Sequence, residues 1–161
     1  EAANTCGKNT TIFTRENWYQ QFAYWPNVKK VPDLPYEGDK RQDDQFHWGT
    51  GQFAALVGMS FKPKAIFLVG MDLWGIGDKK EPENVNNMYK GSKGYTYIKR
   101  PVDPRYWIYQ FNKLFEHSEC RWIIVNQEGW KMPDEWKEHK NVFQDTYEGL
   151  AKWINNQLTK K

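Results

Sequence analysis

The residues best suited to do chemistry cluster at Phe46-His47-Trp48-Gly49-Thr50-Gly51, which leads into a run of small and apolar residues, Gln52 to Met59. Glycines just before a helix let backbone N–H groups approach an anion, and the helix N-terminus favours negative charge. The pattern lacks the third glycine of a dinucleotide fingerprint and the lysine of a phosphate-binding P-loop. Thr50 acting simply as a helix N-cap is the plainer reading. Asp72 follows the apolar run Ala65-Ile66-Phe67-Leu68-Val69. A carboxylate at a strand's end can accept from a sugar hydroxyl or orient a base; capping the next turn is the alternative. Trp74 could stack on a base or sugar, or pack in the core. Residues 89–100, from Tyr89 to Arg100, interleave bases and aromatics, as a grip on phosphates or single-stranded bases does; a solvated loop reads equally well. His47 adjoins the glycine turn and is a candidate base. His117 reads as a structural cation at a helix end, and His139 as an exposed residue in a charged run.

Elements must bring these residues together. Thr10 to Thr14 reads as a strand, and Glu16 to Trp25 as a helix with Trp18, Phe22 and Trp25 on one face. Val28 to Val31 is a short strand, and Pro32 to Phe46 a polar loop. A helix after Gly51 leads to the 65–69 strand, whose continuous apolar run predicts cover on both faces. Residues 75–102 lack periodicity and read as a long functional loop. Asp103-Pro104 starts a helix carrying Trp107, Phe111, Leu114 and Phe115. Arg121 to Asn126 is a buried-type strand, Pro133 to His139 a short helix, and Val142-Phe143 an extended segment. Asp145 and Glu148 resemble a capping box before a helix with Tyr147, Leu150, Ile154 and Leu158 on its apolar face. This alternation predicts an α/β fold with a mainly parallel sheet. In such sheets ligands bind beyond the carboxyl ends of strands, where residues 70–77, residues 126–130 and the Gly49-Thr50-Gly51 turn fall.

Composition bounds the classes. The chain has 161 residues, a length that predicts a single domain, 1–161. Nine Trp, nine Tyr and nine Phe are too many for a disordered chain. A mean hydropathy of -0.90 excludes a membrane span, and a net charge of +3 argues against duplex DNA as partner. Cys6 and Cys120 match no metal or redox spacing and read as reduced thiols of a cytoplasmic protein. No spacing suggests a metal site.

The stretch from Trp48 to Trp74 resembles the bacterial lipooligosaccharide sialyltransferases and their wider Rossmann-like relatives, among them the motility-accessory factors. A glycine-flanked turn opens an alanine-containing helix, and an apolar strand ends in Gly70-Met71-Asp72-Leu73. The resemblance implies a three-layer Rossmann-like domain. The family's first strand and nucleotide loop have no counterpart here, so the expected fold lacks its first βα unit. It implies a metal-independent glycosyltransferase with no cofactor beyond its nucleotide-sugar co-substrate, cytidine type favoured, and a glycan acceptor as partner. By position, Gly49, Thr50 and Gly51 would meet the nucleotide, and Asp72 and Trp74 its ribose or the sugar. Tyr89 matches a phosphate-contacting tyrosine, with Lys90 and Lys93 beside it. Ser92 falls near the family's catalytic histidine, and His47, which stands for a family arginine, is the reserve base. A non-catalytic binding or structural module keeping the fold, as a virion or surface-assembly component, is the alternative. Single-stranded nucleic-acid binding comes third, and oligomeric state is open.

Overall fold

Two apolar runs build the centre of the molecule. Ala65–Val69 forms β3 and Arg121–Asn126 forms β4, paired in parallel with Val69 opposite Val125. Val142–Thr146 forms β5, parallel to β4 on its other side, so the order is β3-β4-β5. A second parallel pair, β1 (Ile12–Thr14) and β2 (Val28–Lys30), stands apart, bridged by helix α1 (Glu16–Phe22). The computed structural model describes residues 9–73 and 104–159. The fold is α/β with parallel sheets, as the alternation predicts. None of the helices described is long and apolar enough to cross a membrane.

Side chains alternate across a strand, so the sheet has two unlike faces. Leu68, Trp122, Ile124 and Val142 face one way. They pack with Ala55 and Leu56 of α2 (Thr50–Ser60), with Ile108, Phe111, Leu114 and Phe115 of α3 (Arg105–Glu116), and with Trp136 of α4 (Asp134–Lys137). Trp136 is the keystone of this layer. Its ring lies 5.6 Å from Phe111 and 5.4 Å from Phe115, and its Nε1–H donates to the Ile108 carbonyl at 3.0 Å. Edge-on aromatic geometry adds to the area that these rings bury.

Among the described residues, the other face carries α5 (Tyr147–Leu158), whose Trp153 ring rests 4.8 Å from Phe67. Here the apolar patterns overstate burial. Val69 is 48% exposed, so cover on this face of β3 reaches Phe67 and stops short of the strand's end. The expected apolar face of α5 stays open at Tyr147, Ile154 and Leu158, and Trp18 and Phe22 of α1 are exposed as well. Periodicity reports where apolar residues point, not what covers them. The α5 cap also shifts by one residue. Asp145 is still paired in β5 opposite Val125, so Thr146 caps the helix, accepting from Gly149 N–H at 3.1 Å. Glu148 pairs with Lys152 instead. His139 is half-buried rather than exposed, with Nε2 2.8 Å from Asn112 Oδ1. His117 caps α3 as expected, its Nδ1 3.0 Å from the Lys113 carbonyl.

The two faces predict unequal responses. Trp136→Ala lowers unfolding stability by about 3–5 kcal/mol. Trp153→Ala, at a site 47% exposed, lowers it by only about 1 kcal/mol. Urea titrations of both variants read the difference.

Candidate functional site

Parallel strands and antiparallel helices bring particular ends together. α2 precedes β3 and runs back against it, so its N-terminus stands at the carboxyl end of β3. The contact is direct: a Cβ placed on Gly51 would come within 2.7 Å of Met71 Cε and 3.2 Å of its Sδ. Glycine at 51 therefore serves close packing of the helix start on the turn after β3. That turn is sharp, with left-handed backbone at Gly70 (φ 75°) and Leu73 (φ 55°). Asp72, half-buried, gives its carbonyl to Trp130 Nε1–H at 3.0 Å, which ties the turn to the loop after β4. The turn at 49–51, residues 70–73 and the loop at 126–130 are thus linked at the carboxyl edge; residues 74–77 lie outside the described residues.

The cap at α2 is not Thr50. Gly49 is the N-cap, in extended conformation with no side-chain cap bond, and Thr50 is the first helical residue. The first bond of the helix runs from Phe53 N–H to the Gly49 carbonyl at 3.1 Å. The N–H groups of Thr50, Gly51 and Gln52 precede that ladder. Thr50 is exposed, so its hydroxyl is on the surface beside them. The arrangement can receive an anion at the helix end.

A second set of bonds holds the segment before Gly49 in place. It folds into two short 3₁₀ turns, Arg41–Asp43 and Gln45–His47, where the sequence reads as open loop. Gln110, fully buried on α3, donates Nε2–H to the Gln42 carbonyl at 2.8 Å and to the His47 carbonyl at 3.1 Å. Asp43, also buried, accepts from Tyr36 O–H at 2.9 Å, Tyr109 O–H at 3.2 Å and Lys40 N–H at 3.2 Å. Burial, followed by the charge of Asp43 and its hydrogen bond, pushes the Tyr109 phenol up to about 12. Burial and the same carboxylate hold Tyr36 well above its ordinary value.

His47 lies two residues before Gly49, on the second of these turns. Its Nε2 is 3.3 Å from Arg41 Nε, and its ring stands edge-on to Tyr106 at 5.4 Å. Arginine only donates, so Nε2 accepts and its lone pair is engaged. Trp74, Tyr89, Lys90, Ser92 and Lys93 lie outside the described residues.

No family model, curated protein or solved structure matches this chain. A cavity of about 600 Å³ lies at the opposite edge, lined by Lys62, Lys64, His117 and Cys120 among others. It sits where α2 and α3 end, and helix C-termini carry the negative end of the dipole. The carboxyl edge, with helix starts, suits an anionic ligand better. Gln110 and Asp43 are contributors that the sequence does not announce. Each acts across a gap: Gln110 on carbonyls 63 and 68 residues away, and Asp43 on Tyr109 66 residues away.

The phenol pair gives a pH signature. Each phenol's folded pKa exceeds its ordinary value of 10.0. Their contribution is therefore complete below pH 10 and lost as pH rises toward and through the folded values. Thermal melts between pH 8 and pH 12 should show stability falling above pH 10, with a shallower fall in the Tyr36→Phe/Tyr109→Phe double variant.

Proposed function

We propose that this chain is a sialyltransferase-like glycosyltransferase domain. It holds a nucleotide-sugar, cytidine type favoured, along the carboxyl edge of the β3-β4-β5 sheet. The observation that carries the reading is the seat of Gly51 on Met71, which joins an uncapped helix start to the turn bearing Asp72. Phosphate oxygens accept from the N–H groups of Thr50 and its neighbours, and Asp72 accepts from a ribose or sugar hydroxyl. Transfer is a direct displacement. The acceptor oxygen bonds to the anomeric carbon as the carbon–oxygen bond to the phosphate breaks. The electron pair leaves on the phosphate, and the acceptor's proton passes to a base. Tyr89, Lys90 and Lys93 are the groups proposed to steady the departing phosphate. His47 can be the base only after releasing Arg41; Ser92 needs a partner to take a proton at neutral pH.

One observation favours a second reading, a non-catalytic module that keeps the fold and the ligand edge. The Nε2 lone pair of His47 is committed to Arg41, so a described candidate base is occupied.

A thermal-shift panel of CMP, CDP, UDP, GDP and ATP tests ligand class. CMP at a hundred times its dissociation constant should add about 2.7 kcal/mol, and GDP and ATP little. Turnover of a CMP-sugar, lost in Asp72→Ala, supports transfer; CMP binding without turnover supports the module. No shift with any nucleotide contradicts both.

A further inference from the structure

β4 ends on Asn126, on the central strand of the sheet and only 1% exposed. Alternation with Trp122 and Ile124 turns its side chain toward the face covered by α2 and α3. Its amide is oriented by one bond: Oδ1 accepts from Gln127 N–H at 3.1 Å. Among the described residues, Nδ2, with two N–H donors, has no partner. Buried donors are almost always paired, so this one points to an acceptor that arrives from outside.

Its position says where. Val69 pairs with Val125, so Asn126 stands level with Gly70, one residue before the Met71 on which Gly51 rests. The amide of Asn126 and the leading N–H groups of α2 thus border the same corner of the sheet edge. The nearest carboxylate along β5, Asp145, belongs to the opposite face and binds Thr146 N–H at 2.8 Å. Both elements present donors at that edge, and both call for an acceptor.

We propose that Asn126 and the first turn of α2 form a binding site for a phosphoryl group, with Asn126 Nδ2 donating to a phosphate oxygen. Identifying that group as the phosphate of a nucleotide-sugar rests on the functional reading above; the site itself follows from the two donor sets. Asn126 then favours ligands that place an acceptor oxygen there, and an ammonium, which only donates, leaves the amide unmatched.

Calorimetry with inorganic pyrophosphate and with CMP on the full chain tests the site through two substitutions. Asn126→Asp keeps an oxygen for Gln127 N–H and replaces the donor with an anionic oxygen. Thr50→Pro deletes one α2 N–H where proline is tolerated, at a first helical position after an extended Gly49. Both should weaken both ligands by about tenfold or more. Should Asn126→Asp fail to fold, Asn126→Ser, which shortens the side chain without adding charge, should show the same loss. Wild-type affinity in the folded Asn126 variants overturns the inference; if CMP still binds, the nucleotide reading survives. Asn126-dependent binding of pyrophosphate without CMP binding supports the site and overturns the nucleotide-sugar reading. Binding of neither ligand to the wild-type chain overturns both.

Discussion

Parallel pairing of β3 with β4 and of β4 with β5 is the constraint on which the rest depends. Parallel neighbours leave the sheet at one edge, so the chain must return outside it between strands. α2 and α3 each run back before the strand that follows, and their starts arrive at that edge. The orphan N–H groups of α2, the turn after β3 and the end of β4 are therefore neighbours by topology. The side chains on top of this arrangement decide whether the corner is filled from within or by a ligand. Gly49 supplies no cap, Gly51 lets the helix sit down on Met71, and Asn126 leaves a donor open.

Polar links at long sequence range keep that corner in shape. Gln110 reaches from α3 to two carbonyls of the segment before Gly49, and Asp43 gathers two phenols and a backbone N–H. Inside a protein such bonds are strengthened, and each unpaired member is expensive. The Trp136 cluster supplies the apolar counterpart, locking α3 and α4 together above β4. The edge is thus held by one aromatic layer and one polar staple, and both depend on the placement of α3.

Local signals in the sequence carry much of this fold. The β4 run, the helix after Gly51 and the helix after Pro104 depend on side-chain period and turn chemistry within a dozen residues, so they are legible. Coverage is not a local property. The apolar pattern of α5 is real, yet Leu158 remains 65% exposed because no second helix described joins α5 on that face of the sheet. The cap of α5 moved from Asp145 to Thr146 because strand pairing with β4 extends one residue further than the cap chemistry suggests. At the site, Gly49, Thr50, Gly51 and Asp72 are legible as strand-end and helix-start residues. Asn126, Gln110 and Asp43 are polar residues whose meaning appears only when distant segments meet.

On the proposed function, the carboxyl edge of the three-stranded sheet is where this protein meets its ligand. A titration of the isotopically labelled chain with CMP, followed by nuclear magnetic resonance, tests it residue by residue. Shifts are expected at the amides of residues 49–52 and 70–72 and at the side-chain amide of Asn126. Shifts confined to Lys62, Lys64 and residues 117–120, at the opposite edge, would contradict it.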